Sequence, residues 1–452
     1  MLNSVNERLT GALRRFAGDD MLLRVAQGAS GTMLLWGASI LLTFVIRWLL
    51  ARLMGAANYG VYSYAEAWFD LLMVLPVLGF DSLILRSFAA DSHAGRWDAI
   101  HGLWRFANRL NLYLSGALIA VVLLLSAAAF GRSTSDSDPI LMLTLWLMTP
   151  LLPLRAYIQF AYHALLALDR VVSGQVPLLV IRPVVFIALI FGASAWLQGF
   201  ASPLVAMLVN LAATCVSLLL VVYMLRRVLP AEATRIPSEG DRHGWLRASL
   251  PIAGAAALTL VNSRTDTIML GLFADTRAVG IYSIAAQFGI VMLTIDMAAS
   301  TALSPVFSRL YHADDREGLL RVTQFATRAM VAAGLVVLLC YVVFGQTLLG
   351  LFGAEFREAY GALLILSVGR FVMLAQGSVV ALLQMTAFEG DVMQASAISA
   401  VLNLVLSWIL ISRYGIEGAA LATTLSLIVR RWLLSRSVRN RLHINPSVSF
   451  FR

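Results

Sequence analysis

The stretch Leu258–Phe288, LTLVNSRTDTIMLGLFADTRAVGIYSIAAQF, decides how the rest of the chain is read. It opens as an apolar helix long enough to enter a membrane, yet sets Arg264 and Asp266 among residues suited to hydrocarbon. Charges there are expensive unless they face a cavity or a partner, so they point to function. The run breaks at Phe273–Gly280 and restarts as Gly280-Ile-Tyr282-Ser283-Ile-Ala285. Near the start of the chain the same phrase, Gly60-Val-Tyr62-Ser63-Tyr-Ala65, follows an apolar helix that carries Arg47.

Gly60 and Gly280 are 280 − 60 = 220 positions apart, and Ala167-Leu168-Asp169 matches Ala387-Phe388-Glu389 at the same offset. The chain therefore reads as one six-helix unit written twice. Because six is even, both copies cross a membrane in the same sense, and a pseudo-two-fold axis along the membrane normal relates them. Substrate sites of such folds are expected between the halves.

Composition agrees. With 60% hydrophobic and 13% charged residues, the 452-residue chain lacks the polar surface of a soluble protein. The expected fold class is an all-α polytopic membrane protein. Its twelve apolar segments lie near 29–52, 60–84, 107–130, 140–167, 171–197, 201–225, 248–273, 280–307, 322–345, 360–386, 391–411 and 415–435. The first is too long for a signal peptide and is kept as a span. The organisation is a cytoplasmic segment 1–28, suited to lying on the leaflet, a six-helix bundle 29–225, a linker 226–247, a second bundle 248–435 and a tail 436–452.

The net charge of +9 is read against topology rather than as a nucleic-acid footprint. Every basic residue is arginine. One side of the layout holds nearly all of the loop arginines, including the tail from Arg430, while the other holds Arg52, Arg132, Arg277, Arg357 and Arg413. The positive-inside rule then places both termini in the cytoplasm. Cys215 and Cys340 sit inside expected helices and suggest neither disulfide nor metal. No GxxxxGK[ST] loop and no catalytic constellation is present, so an enzyme is not expected.

The candidate site residues are the charges at hydrocarbon depth. Arg47, Arg155, Arg182, Arg264 and Arg370 each cost roughly 2.5–3.5 kcal/mol at a helix centre. Glu66, Asp70, Asp266 and Asp296 are the candidates for pairing with them or for H⁺ or Na⁺ coupling; no other cofactor is expected. Four carboxylates cannot neutralise five arginines, and a positive cavity suits an anionic substrate such as a diphosphate, which guanidinium groups grip bidentately. Arg264 and Asp266, two apart, cannot share a helix face, so Arg264 is assigned to the cavity and Asp266, with Asn262, to a neighbouring helix or a cation. Asn210, Thr214 and Ser217 are read as helix-to-helix hydrogen bonds. Pro150, Pro153 and Pro183 are expected to break the fourth and fifth helices.

The motifs ArgLeuMetGlyAlaAlaAsnTyrGlyValTyrSer at 52–63, ProLeuArgAlaTyrIleGln at 153–159 and ArgThrAspThrIleMetLeuGly at 264–271 resemble the polysaccharide transporter family. That family includes O-antigen and exopolysaccharide flippases within the multidrug/oligosaccharidyl-lipid/polysaccharide exporter superfamily. The resemblance implies two bundles around a central cavity, alternating access, and a polyprenyl-diphosphate-linked oligosaccharide carried across the bacterial inner membrane. A glycan polymerase and export machinery would be its partners. The first helix lacks the arginine-rich start typical of the superfamily's peptidoglycan-precursor flippases, which favours a surface or secreted glycan. Two other classes stay open: a cation-coupled drug or metabolite antiporter of the same fold, and a membrane scaffold without transport.

Overall fold

The computed structural model describes residues 20–130, 138–196, 202–228 and 242–442. Most of the expected segment 1–28, the greater part of the linker 226–247 and the last residues of the tail 436–452 lie outside these. Where described, the chain is helical, as hydrocarbon demands, because a lipid-exposed peptide group has no water to bond.

Ten helices are long and apolar enough to span a bilayer, and two of them fold back on themselves, which gives 10 + 2 = 12 crossings. We number these α1 (20–54), α2 (56–77), α3 (Trp97–Phe130), α4 (Asp138–Met148 with Leu151–Ala167), α5 (171–196), α6 (Pro203–Val228), α7 (Arg242–Phe273), α8 (Thr276–Phe288 with Ile290–His312), α9 (Arg316–Gly350), α10 (Tyr360–Ala375 with Val379–Met385), α11 (389–414) and α12 (416–442). A further helix, Phe80–His93, continues α2 towards α3.

The two reversals are abrupt. At Gly55 a single residue with φ 70° turns the chain, a conformation glycine adopts without a Cβ penalty. Arg47 and Glu66 would stand about 28 Å apart on a straight helix at 1.5 Å per residue. Their side chains instead approach to 3.9 Å. Gly415 (φ 54°) turns α11 into α12 in the same way, so that Ser399 donates to the carbonyl of Ser426 at 3.1 Å.

Several expected boundaries move for local reasons. The eighth helix restarts at Thr276 rather than Gly280, because Asp275 caps it by accepting from the Ala278 N–H at 2.6 Å. α10 is interrupted at Gln376–Ser378 and α8 at Gly289. In α5 the break precedes Arg182-Pro183 as a π-helical turn, Pro177–Ile181, in which the Arg182 N–H bonds the Pro177 carbonyl five residues back. Pro183 has no N–H to offer, and the widened turn absorbs the loss. Cys215 and Cys340 lie within helices as expected, both free and exposed.

The repeated glycine phrases meet each other. A Cβ on Gly60 would lie 1.6 Å from the Thr276 carbonyl oxygen, and one on Gly280 would lie 2.1 Å from that of Ala56. α2 and α8 thus cross backbone to backbone at the end of the molecule opposite the termini, here called the distal end. Around this crossing Phe44, Phe288, Phe352 and Phe356 pack edge-on with centroids 5.5–6.4 Å apart. The Trp48 indole donates to Leu351, and Glu355 accepts from the Ala56 N–H at 3.1 Å. The distal end is closed. At the other, proximal end the halves meet where Gly79 approaches the Ser249 carbonyl and Phe106 packs on Trp245, whereas α8 packs mainly on helices of its own half.

Replacing Gly280 by Ala should force this crossing apart, since overpacking a close contact costs about 1–3 kcal/mol. Spin labels at Asn58 and Glu358, in a background without Cys215 and Cys340, should then report longer distal distances. An unchanged distribution would show that the crossing does not hold the distal end shut.

A basic cluster at the seam between the halves

Tyr62, Glu66 and Asp70 recur every four residues, so α2 presents them as one stripe. Four guanidinium groups gather around it. Arg47 reaches Glu66 from α1, and Arg264 reaches across from the second half to pair with Asp70 at 2.5 Å. Arg155 and Arg182, from α4 and α5, both donate to the side-chain carbonyl of Asn210 on α6, at 3.4 and 3.1 Å. The Asn210 amide donates onward to the Tyr62 hydroxyl at 3.0 Å. Arg155 also lies over the Phe69 ring, 5.3 Å from its centre.

The breaks in the helices place these groups. α4 restarts at Leu151 after the Thr149–Pro150 turn, and Arg155 follows one turn later. The π-helical turn of α5 delivers Arg182 at its end, a common use of such turns at functional sites.

The electrostatics are unbalanced. Four arginines face two carboxylates, an excess of 4 − 2 = +2. Among the described residues no carboxylate lies within 4.0 Å of Arg155 or Arg182, and the Nε of each is buried without a partner. Two like charges converge on one neutral oxygen, and an anion bound between them would relieve the repulsion. No group of three or more His, Cys, Asp or Glu side chains suited to a metal occurs among the described residues.

The other expected residues lie elsewhere. Asp266 is buried, 6% exposed, and accepts from the Tyr282 hydroxyl, from Thr423 at 3.2 Å and from the Thr267 N–H at 2.7 Å. Asn262 donates to Ser396 on α11 at 3.0 Å. Arg370 is apart from the cluster and donates at 2.6 Å to the carbonyl of Gly289, at the break in α8, which also accepts from the Leu293 N–H at 3.3 Å. Asp296 pairs with none of the five expected arginines. Its partner is Arg431, at 2.6 Å, whose other nitrogen donates to the Gly377 carbonyl in the break of α10.

Two readings need correction. Arg431, grouped with the cytoplasmic tail, is 5% exposed and belongs to the interior. Its place at the end of a basic run hid it; the signal available was Asp296, an acid without an assigned partner. Thr214, read as a helix-to-helix bond, donates to the Asn210 carbonyl of its own helix at 2.7 Å, whereas Asn210 does bond across helices and is the hub that Arg155 and Arg182 share. Ser217 does pack helix to helix, donating to the Pro177 carbonyl.

A family model described as "Polysaccharide biosynthesis protein" matches residues 25–311, nearly two thirds of the chain. The chain belongs to this family. A second model, MatE, matches residues 251–409. Among curated proteins, the "Probable flippase AglR" of Haloferax volcanii is 30% identical over 190 residues, 41% of this chain and 39% of that protein. The "Probable low-salt glycan biosynthesis flippase Agl15" of the same organism is 28% identical over 36% of this chain and 35% of its own length. The chain thus matches less than half the length of either relative. The fold is that of an inward-facing multidrug resistance MATE family transporter of the MOP superfamily, with a TM-score of 0.77 at 12% identity over 90% of this chain and 94% of that one. It also matches the lipid II flippase MurJ in an inward closed conformation, at 0.68 and 16% over 92% and 87%. The fold class and the family resemblance read from the sequence are both borne out, and the protein is a multi-pass membrane protein.

Arg264 and Asp70 are about a quarter exposed, so their pair is worth less than a fully buried one, on the order of 1–2 kcal/mol. Arg264→Ala and Asp70→Ala should each lower the thermal midpoint, and the charge swap of both should recover most of the loss. Additive losses in the swapped protein would show that the pair does not tie the halves together.

Proposed function

We propose that this protein is a flippase that carries a polyprenyl-diphosphate-linked oligosaccharide across the bacterial inner membrane, termini cytoplasmic, for assembly of a surface or secreted polysaccharide. The observation that carries the reading is the Arg155–Arg182 pair on Asn210, half-buried midway along α4 and α5 with no carboxylate within 4.0 Å among the described residues. Guanidinium forks match phosphate oxygens in geometry and charge, so a diphosphate is the ligand class the pair fits. Family membership and the likeness to AglR and Agl15, both named as probable flippases, support the same substrate class. An antiporter of cationic drugs would favour an acidic cluster, against the excess of positive charge found here.

Transport would proceed by alternating access. With the distal end closed, the diphosphate would enter from the proximal side and meet Arg155 and Arg182, while the polyprenyl tail stays in lipid. A bound diphosphate would neutralise the two guanidinium charges, and alternating access would require the halves to part at the Gly60–Gly280 crossing. Arg264 and Asp70, which pair across the seam, would separate in that step. Asp266, held by two hydroxyls and an amide rather than by an arginine, is the proposed site of H⁺ or Na⁺ coupling. A polymerase and export machinery are the proposed partners downstream.

Deletion of the protein should cause the lipid-linked oligosaccharide to build up on the cytoplasmic face and surface glycan to disappear. Arg155→Ala and Arg182→Ala should each lower export tenfold or more, since a charge-assisted contact is worth about 1.5–3 kcal/mol. Normal export with both arginines replaced, at normal protein level, would sink the proposed site.

A further inference from the structure

A cavity of about 410 Å³ opens at the proximal end between the start of α11 and the end of α12, away from the basic cluster. Its walls differ. Towards the membrane they are apolar, with Ile398 and Leu433; towards the proximal surface they carry Gln394, Arg436, Asn440 and Arg441. Ile398 is also the first of a stripe, Ile398, Val401, Val405 and Trp408, that runs along α11 at helical spacing with every member exposed. A greasy track therefore leads into a pocket that ends in guanidinium groups.

Those groups are held in place. Asp391 accepts from Ser437 and pairs with Arg441 at 3.4 Å, while Arg441 lies over the Phe388 ring at 5.3 Å. Arg436 lies over the exposed Trp432 ring at 5.6 Å, an aromatic of the kind that sits at headgroup level. Two arginines and one aspartate leave a formal charge of 2 − 1 = +1. A single phosphodiester would neutralise it, whereas the added cation of a choline headgroup would not.

We propose that this groove binds an anionic phospholipid of the leaflet facing the proximal end, with one acyl chain along the α11 stripe and the headgroup phosphate between Arg436 and Arg441. The site is independent of the flippase reading, because none of its residues belongs to the basic cluster. An attached lipid would rest on both α11 and α12 and so favour the conformer in which their proximal ends are this far apart.

The test is native mass spectrometry of the purified full chain from mixed micelles holding equal phosphatidylglycerol and phosphatidylcholine. The wild type should retain phosphatidylglycerol over phosphatidylcholine by about tenfold, as expected for two arginines at an anionic headgroup. Arg436→Gln with Arg441→Gln should bring the ratio to near one. Ile398→Asp, which leaves both arginines in place but blocks the track, should lower it as well. Excess inorganic phosphate should not displace the lipid. A wild type with no preference would overturn the proposal, and so would a preference that survives the double substitution. So would loss of lipid to inorganic phosphate alone, which would make the pocket a phosphate site. A wild type found to be dimeric that the double substitution makes monomeric, with lipid retention unchanged, would make the groove an interface between copies and overturn it too. Thermal midpoints measured in phosphatidylcholine alone confirm that each variant is folded; if the double variant is not, the wild-type ratio and Ile398→Asp decide.

Discussion

Hydrocarbon offers no hydrogen bond to a peptide group and no counterion to a guanidinium, and the structure answers that constraint at each point where the chain departs from a plain apolar helix. Where α8 breaks, Arg370 donates to the Gly289 carbonyl; where α10 breaks, Arg431 donates to that of Gly377. Breaks and buried arginines thus serve one another. Arg47 and Arg264 pair with carboxylates instead, and Arg155 and Arg182, which do neither, stand out for that reason.

The repeat is symmetric in backbone and asymmetric in charge. Tyr62 and Tyr282 occupy matching places after the two glycines that bring α2 and α8 together. Yet Tyr62 accepts from an asparagine that holds two arginines, while Tyr282 donates to an aspartate. One half concentrates positive charge near the seam, and the other buries a carboxylate among hydroxyls. A carrier that couples an anionic load to a cation needs two such sites, and a duplicated scaffold provides equivalent positions for both.

Much of the architecture was legible because the membrane makes composition and periodicity decisive. Twelve apolar segments and the five arginines within them follow from a requirement acting on every residue alone, and the repeat from phrases matched 220 positions apart; Arg431, beside the tail, escaped both. Helix ends were less legible, since the Asp275 cap and the reversal at Gly55 rest on single residues. The pairings were not legible. Four carboxylates and five arginines allow many arrangements, and sequence distance gives no preference between Asp296 with Arg264 and Asp296 with Arg431.

The sequence by itself determined that the chain is helical, that it crosses the membrane twelve times and that its two halves share one design, because burial in hydrocarbon is a local demand. Only the tertiary structure decided that Gly60 faces Gly280, that Asn210 unites Arg155 with Arg182, and that Arg370 and Arg431 are engaged elsewhere. These are contacts between helices up to some two hundred residues apart. They are set by which faces the packing turns inward, and no single helix carries that information.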